Sequence, residues 1–346
     1  MPKSIFLVHN AFSRFVQLDC ELLAKNYELT VRFEASLRKL NIIDLWRQVR
    51  KHDLVYCWFA SWHAFFPVLF ARLQRKPSVV VVGGYDVASV PQAGYGSQRG
   101  GFRRYLTRIV MNCATRLLPF SEAAGCEAVL KAGAASEKCS VIYLGVQSRD
   151  HRPEQPRQKM ALSVGYINKE NFLRKGLLPF VQASTLLPDV KFVHAGPCSD
   201  NSIEELRKAA GPNVSFLGFV SDDKLSDLFQ QASVYVQASL HEGFGMSVAE
   251  SMSAGCIPVT SQFGSLPEIV GDTGVYLADV TPQAVAEGIK AGLILSNETR
   301  VQAQKRVRDL FSLRERERRL KAVLDELLSS PGQLTQRKPR LAVSGE

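Results

Sequence analysis

The sequence predicts an α/β protein with two doubly wound parallel sheets facing a cleft. Short apolar runs alternate with helix-length segments, which is typical of parallel sheets covered by helices. Gln147–Lys159 interrupts this alternation, because it holds several charges, two prolines and almost no apolar residues. The chain has 346 residues, of which 46% are hydrophobic, and this is enough for two buried cores.

The change in composition at Gln147–Lys159 predicts the boundary between two domains. We expect a first domain at 1–150, a linker at 151–160 and a second domain at 161–310. A highly charged helix is predicted at 311–330, and the tail 331–346 is predicted to be disordered. Ligands of doubly wound sheets bind at the carboxyl ends of the strands, so candidate site residues are expected there.

Apolar runs of strand length predict the elements of each sheet. In the first half the predicted strands are Ile5–Val8, Leu54–Cys57, Val79–Val82, Arg116–Pro119 and Val141–Leu144. In the second half they are Ala161–Gly165, Val190–His194, Val214–Leu217, Val234–Val236, Ile257–Thr260 and Val275–Leu277. Helix starts are predicted at Ser121, Ser221 and Thr281, because Ser and Thr side chains can cap the first helical turn.

Composition excludes several classes of protein. No apolar run reaches 18 residues, and strand-like Ile5–Val8 follows the start at once, so neither a transmembrane helix nor a signal peptide is expected. The seven cysteines show no C-x-x-C spacing, which indicates reduced cysteines, no metal site and a cytoplasmic protein. Gly94-x-Gly96-x-x-x-Gly100 follows no strand, which argues against a dinucleotide-binding oxidoreductase. The net charge of +10 comes without interleaved aromatic residues, so no nucleic-acid partner is predicted.

The most informative segment is His241-Glu-Gly-Phe-Gly-Met-Ser-Val-Ala-Glu250. Two acids flank two glycines, and a helical pattern begins at the second glycine. Glycines let the backbone approach a ligand closely, and the first N–H groups of a helix form an anion site. Glu250 lies about one turn into the helix, where its carboxylate can reach back and accept hydrogen bonds from neighbouring hydroxyls. The segment therefore predicts a site for a phosphate joined to sugars.

Glu242–Pro258 resembles the donor-site signature of the family 4 glycosyltransferases, together with Phe263–Val270 and Asp272–Gly274. These are retaining enzymes of the GT-B fold, which has two Rossmann-like domains. Weaker resemblance runs through Val164–Tyr166, Arg174–Gly176, Asn213–Gly218, Leu225–Leu228, Ala232–Ser239, Pro119–Ser121 and Val141–Val146.

The resemblance implies a retaining, metal-independent transfer of a hexose from a nucleotide-diphosphate sugar to a hydroxyl of a glycan or lipid-linked acceptor. It implies that Glu250 holds the ribose and that Glu242 contacts the donor sugar. Lys175 would neutralise the diphosphate. Backbone N–H groups near the sugar and phosphates would come from Gly243, Phe244, Gly245 and Met246. The donor is a substrate, and no cofactor or metal is expected, because the chain has no Asp-x-Asp motif.

Two positions depart from the family pattern. Tyr166 stands where the family usually carries an arginine, and either Lys169 or Arg174 is the candidate for the second cation. In the first half, Gly83-Gly84-Tyr85-Asp86 stands where relatives often carry a histidine. Asp86 could hydrogen-bond a sugar or accept a proton as a catalytic residue, or it could close a turn.

Two alternatives to a glycosyltransferase remain open at this point. A catalytically inactive GT-B sugar-binding or scaffold protein is compatible with Tyr166 and Gly84 in place of the expected residues. A nucleotide-sugar epimerase shares the GT-B architecture, although it lacks the segment with two glutamates. His63 follows a predicted strand with no other candidate catalytic residue beside it. A lone histidine in this position is more typical of a helix cap or a core residue than of a catalytic residue.

Val87–Ser121 holds five arginines and no Asp or Glu. Four of them are candidates for contact with an anionic membrane surface: Arg99, Arg103, Arg104 and Arg108. Leu106, Ile109, Val110 and Cys113 have helical spacing and are predicted to form one apolar face. These features suggest a domain that works on the cytoplasmic face of a membrane, as part of a peripheral protein, or on a phosphorylated acceptor. The alternative is an ordinary solvated basic helix.

Overall fold

The computed structural model describes residues 2–147 and 157–329 and divides them into two compact units. The first unit comprises the chain up to Ala88, Ser97–Ile142 and the segment that begins at Arg316. The second comprises Ser89–Gly96 and Tyr143–Glu315. The units are therefore interleaved along the chain, whereas the predicted domains were contiguous. The predicted tail 331–346 lies outside the described residues.

The first unit is a five-stranded parallel sheet flanked by helices. Its strands, in the spatial order β2-β1-β3-β4-β5, are β1 Ser4–His9, β2 Glu28–Phe33, β3 Leu54–Trp58, β4 Ser78–Val82 and β5 Arg116–Pro119. Its helices are α1 Arg14–Ala24, α2 Ile42–Lys51, α3 Trp62–Leu73, α4 Gly84–Val87, α5 Gly101–Cys113 and α6 Glu122–Leu130. Every residue of β3 and β4 is buried, which explains the uninterrupted apolar runs of these strands.

The second unit is a six-stranded parallel sheet in the order β11-β10-β9-β6-β7-β8. Its strands are β6 Gln158–Val164, β7 Lys191–Ala195, β8 Val214–Phe216, β9 Ala232–Gln237, β10 Ile257–Thr260 and β11 Val275–Tyr276. Its helices are α7 Lys169–Arg174, α8 Leu177–Ala183, α9 Ser202–Ala209, α10 Asp222–Gln231, α11 Met246–Ser253, α12 Leu266–Val270, α13 Pro282–Ile294 and α14 Asn297–Leu310. Helix α15, Leu313–Ser329, begins in this unit and continues into the first.

The predicted helix caps are confirmed. The side chains of Ser121, Ser221 and Thr281 accept hydrogen bonds from the backbone N–H three residues further on, at the starts of α6, α10 and α13. His63 is fully buried, and its Nε2 lies 2.6 Å from the carbonyl oxygen of Trp58, so it is a core residue as expected.

In the first half of the chain one strand was missed and one predicted strand was wrong. Strand β2 was missed because it lies at the edge of the sheet, and its charged, partly exposed residues give no apolar run. Val141–Leu144 was predicted as a strand but is irregular, although the Ile142 N–H donates to the carbonyl oxygen of Pro119 in β5. Its apolar character reflects the burial of Ile142 and Leu144 in the core.

Three predictions about helices and the linker also need correction. The C-terminal helix starts at Leu313 and not at 311, because the chain leaves the helical conformation at Phe311, which is buried. Strand β6 begins at Gln158, within the predicted linker 151–160, of which residues 151–156 lie outside the described residues. In α5, Ile109 is exposed, and the buried residues are Thr107, Val110 and Met111.

A buried ion pair joins the last helix to the first unit. The Arg316 guanidinium donates to both carboxylate oxygens of Asp19 in α1, at 2.5 and 2.7 Å, and both side chains are almost completely buried. The Tyr56 hydroxyl donates to the same carboxylate at 3.0 Å. Removing one partner of such a pair leaves a buried charge uncompensated, so the contact strongly constrains where α15 packs. Across the described ranges, no helix combines the length and apolar character needed to cross a bilayer.

Candidate functional site

The strand order of the second unit brings two loops together. Strands β6 and β9 are hydrogen-bonded neighbours, although β7 and β8 lie between them in the sequence. The chain therefore reverses its direction of winding at this pair, and the loops after β6 and β9 leave the same edge of the sheet side by side. Such a switch point is where open α/β sheets bind ligands. The loop after β6 carries α7 and Lys175, and the loop after β9 leads through Glu242 into α11.

Glu242 lies in this position as a largely buried carboxylate, with its side chain 15% exposed. Its Oε2 accepts a hydrogen bond from the Ser239 hydroxyl at 3.2 Å. Arg174 Nη1 and Lys175 Nζ each lie 3.8 Å from the same oxygen. Burial alone would raise the pKa of Glu242, but attraction to Lys175 and Arg174 and the bond from Ser239 outweigh it and lower the pKa. The carboxylate is therefore held ionised.

Lys175 reaches Glu242 because two glycines make room for it. Gly176 has a φ of 63°, and a Cβ there would lie 2.0 Å from the carbonyl oxygen of Ala238, so only glycine fits between the two loops. The Lys175 side chain passes over Gly165, at the end of β6. Burial lowers the pKa of Lys175, attraction to Glu242 opposes this shift, and repulsion from Arg174 adds to it.

Arg174 joins the two loops through its backbone and its side chain. Its carbonyl oxygen accepts from the Leu240 N–H at 2.7 Å, and its Nη1 donates to the carbonyl oxygen of His241 at 3.2 Å. Its Nη2 donates to Asn171 Oδ1 at 2.6 Å. The guanidinium also lies over the ring of Tyr95, 4.4 Å from its centroid. These contacts fix a buried positive charge beside Glu242.

Helix α11 begins at Met246, as predicted. Its N-cap Gly245 has a φ of 88°, and no side chain caps the helix, so its first turn is available to an anion. The Phe244 side chain is buried against Phe311 and Tyr143, so this residue can offer a ligand only its backbone. Glu250 is half-buried in the second turn.

The structure brings together Glu242, Lys175 and Arg174 from the predicted site residues, next to the Gly243–Met246 segment. Of the two candidates for the second cation, Arg174 is the one beside Glu242. Lys169 is exposed at the opposite end of α7, where its N–H donates to Asp200. Tyr166 is also exposed.

Asp86 is the predicted site residue that lies in the first unit. Its Oδ2 accepts from the backbone N–H groups of Gly83 at 2.9 Å and Ala60 at 3.2 Å, and the side chain is buried. The structure thus shows the turn closed by Asp86 that the sequence left open as an alternative, while its catalytic role stays a prediction. Burial raises the pKa of this carboxyl to about 7, against the lowering effect of the two backbone bonds.

Ser239 and Tyr95 are residues of the site in the second unit that sequence reasoning missed. Ser239 donates to Glu242, and Tyr95 stacks on Arg174. Ser239 lies three residues before Glu242, and this proximity in sequence could have suggested it. Tyr95 comes from the first half of the chain, and no local pattern connects it with Arg174.

Residues 147–310 match the family described as Glycosyl transferases group 1. The resemblance predicted from the sequence is thereby confirmed for this part of the chain, which matches the group 1 glycosyltransferases. It contains β6–β11, Lys175 and both glutamates of the signature.

Two curated relatives match parts of the chain. A phosphatidylinositol N-acetylglucosaminyltransferase subunit of Arabidopsis thaliana is 26% identical over 208 residues, covering 58% of this chain and 46% of the relative. O-antigen chain mannosyltransferase B of Escherichia coli is 44% identical over 62 residues, covering 18% of this chain and 16% of the relative. The chain thus spans less than half the length of each of these relatives.

A solved structure extends the likeness to the whole fold. Anabaena HepE, solved in complex with UDP and glucose, matches with a TM-score of 0.75 at 16% identity, over 94% of this chain and 100% of HepE. At this level of identity the match establishes the fold alone. The predicted GT-B fold, with two Rossmann-like parallel-sheet domains, is confirmed.

Changing Asp86 to Asn should remove a pH dependence of stability. The folded carboxyl has its pKa raised from 3.8 to about 7, so its contribution to stability is fully present below pH 3.8 and is lost as the pH rises toward 7. An amide oxygen can still accept both backbone bonds without a charge. We expect the fall in the thermal midpoint of the wild type between pH 5 and pH 8 to be smaller in Asp86→Asn.

Thermal unfolding of both proteins across this range measures the difference. Identical pH profiles would contradict the assignment of a raised pKa to Asp86. A loss of activity at unchanged stability would instead favour the catalytic role.

Proposed function

We propose that this protein is a retaining, metal-independent glycosyltransferase. It moves a hexose from a nucleotide-diphosphate sugar to a hydroxyl of a glycan or lipid-linked acceptor. The observation that carries the proposal is the ionised Glu242 beside two buried cations, at a sheet switch point and directly before the uncapped helix α11. The match of residues 147–310 to the group 1 glycosyltransferases supports it.

Each group has a part in the proposed reaction. The bond between the anomeric carbon and the diphosphate oxygen breaks, the acceptor oxygen forms a bond to the same face of that carbon, and its proton passes to the departing diphosphate. Lys175, Arg174 and the first N–H groups of α11 stabilise the negative charge on the departing diphosphate. Glu242 positions the hydroxyls of the donor sugar, and Glu250 accepts hydrogen bonds from the ribose. Glu242 acts electrostatically and forms no covalent intermediate.

The relatives suggest the class of donor and acceptor. HepE was solved with UDP and glucose, and the Arabidopsis relative is named for phosphatidylinositol and N-acetylglucosaminyl transfer. The Escherichia coli relative is named a mannosyltransferase, so the donor sugar differs among these proteins. A thermal-shift screen of nucleoside diphosphates would identify the base, and UDP is the first candidate.

Transfer should survive EDTA and retain the anomeric configuration. Two buried cations and the helix N-terminus supply the positive charge that a divalent metal supplies in other transferases. We expect an α-linked nucleotide sugar to give an α-linked product, read from the anomeric coupling constant by NMR. Inversion, or loss of activity with EDTA that is restored by a divalent cation, would contradict this mechanism. Donor binding without turnover would support the inactive sugar-binding alternative.

Both glutamates of the signature should be needed for transfer. We expect Glu242→Gln and Glu250→Ala each to lower the rate roughly a hundredfold, which is typical for loss of one positioned charged hydrogen bond. Glu204→Gln is the matched control, because Glu204 is an exposed acid whose surface ion pair with Arg207 contributes little. Near wild-type rates in both site variants, with unchanged thermal midpoints, would overturn the assignment of the donor site.

We also propose that α5 places the protein on an anionic membrane surface. Phe102, Tyr105 and Ile109 are exposed large apolar residues on this helix, at a spacing that puts them on one side. Arginines at 103, 104 and 108 alternate with them along the helix. An exposed apolar stripe flanked by basic residues suits the headgroup region of an anionic membrane. Helix α5 therefore combines basic side chains with exposed apolar side chains, and both support contact with a membrane.

Vesicle flotation tests this surface. We expect the protein to float with vesicles containing anionic phospholipid and much less with neutral ones, because each basic residue near the surface contributes about 1 kcal/mol. Changing Arg103, Arg104 and Arg108 to Glu should abolish flotation, and Phe102→Ser with Tyr105→Ser should weaken it. The matched control is Arg207→Glu, an exposed arginine on α9. Equal flotation with both vesicle types, or no effect of the three arginine changes, would refute the proposal.

A further inference from the structure

The segment Ser89–Gly96 is the part of the first half of the chain that packs in the second unit. It is a short closed loop, because the N–H and C=O groups of Val90 and Tyr95 pair with each other at 2.9 and 3.1 Å. A single turn of 3-10 helix, Pro91–Ala93, connects these two residues. The backbone pairing therefore determines where the Tyr95 side chain leaves the loop.

The residues on either side of this segment hold its ends together. The carbonyl oxygen of Asp86 accepts from the Ser97 hydroxyl at 2.5 Å and from Gln98 Nε2 at 2.9 Å. The Gln98 N–H donates to the carbonyl oxygen of Ala88 at 3.0 Å. These bonds reduce the conformational freedom of the loop before any ligand binds, so little entropy is lost when Tyr95 is placed.

Tyr95 lies against two residues of the donor site. The Arg174 guanidinium carbon is 4.4 Å from the centroid of its ring, within the range of a favourable cation–π contact. The His241 ring lies 5.7 Å from it, centroid to centroid. His241 is the residue whose carbonyl oxygen accepts from Arg174 Nη1 and that directly precedes Glu242. One aromatic ring thus contacts the side chain of the second cation and the loop that carries the carboxylate.

The charge pair itself does not fix the position of Arg174. Its Nη1 lies 3.8 Å from the Glu242 oxygen, which is too far for a direct hydrogen bond. The guanidinium is held in place by the carbonyl of His241, by Asn171 and by stacking on Tyr95. Because Arg174 is only 8% exposed, its charge has little hydration, and a cation–π contact is stronger for a desolvated cation.

We propose that Tyr95 is a positioning residue for the donor site: its ring holds the Arg174 guanidinium beside Glu242, where it faces the diphosphate of a nucleotide sugar. This inference rests on the proposed function. Tyr95 acts through Arg174 and contributes its aromatic face, while its hydroxyl is not required. The departing diphosphate carries more negative charge than the bound donor. A correctly placed Arg174 therefore stabilises the transition state more than the bound substrate, and loss of Tyr95 should lower kcat.

A double-mutant cycle tests this role. Tyr95→Leu should lower kcat about 5- to 30-fold with UDP-glucose or the donor identified by screening, which is the range for loss of a desolvated cation–π contact. Tyr95→Phe keeps the ring and should stay within about twofold of the wild type. In an Arg174→Gln background, Tyr95→Leu should cause no further loss, because there is no longer a guanidinium to position. Trp46→Leu, at an exposed aromatic residue on α2 outside both proposed binding surfaces, is the matched control.

A role in packing alone gives a different result. Tyr95→Leu would then have the same effect on kcat with or without Arg174, and Tyr95→Phe would not restore the wild-type rate. Either result overturns the inference, and so does a wild-type kcat for Tyr95→Leu.

Hydrogen–deuterium exchange of the protein without ligand separates this inference from the proposed function. Arg174→Gln should speed exchange in the peptide that covers Ser89–Gly96, because the loop loses its contact with the guanidinium. Unchanged exchange with normal wild-type turnover overturns the inference alone. Faster exchange in a protein that neither binds UDP nor turns over a nucleotide sugar overturns the proposed function, and the positioning role is then wrong as well.

Discussion

The second unit of this protein depends on one constraint: a carboxylate, that of Glu242, must remain ionised where little water reaches it. A buried charge is tolerated only when opposite charges and hydrogen bonds compensate its desolvation. Lys175, Arg174 and Ser239 supply that compensation, and they come from the loops after two neighbouring strands. The parallel strand order of the second unit is what brings these loops to one edge of the sheet.

The same constraint explains the unusual local geometry around the site. Gly176 and Gly264 both have positive φ, and a Cβ at either would collide with the backbone of the neighbouring loop, at Ala238 and Glu242 respectively. The loops can therefore approach closely enough for Lys175 to reach the carboxylate. Gly245 turns the chain into α11 with its first N–H groups uncapped. Close packing of backbone on backbone thus creates the ion cluster beside the uncapped start of α11.

Local patterns in the sequence predicted much of this arrangement. The buried strands β3, β4 and β9 appear as uninterrupted apolar runs, and the caps at Ser121, Ser221 and Thr281 act within three residues. Edge strand β2 was missed, and Val141–Leu144 was wrongly predicted as a strand, because apolar character reports burial and not conformation. Tyr95 and the Asp19–Arg316 pair were not predictable, since their partners are distant in the chain.

By itself the sequence determined the fold class, the group 1 glycosyltransferase signature and the start of α11 after Gly245, because each depends on periodicity or on residues a few positions apart. The tertiary structure decided which cation stands beside Glu242, and it chose Arg174 rather than Lys169. It also decided that Asp86 closes a turn and that Ser89–Gly96 packs with the second unit. These outcomes depend on distances between residues that are far apart in the chain, and only the folded backbone brings such residues together.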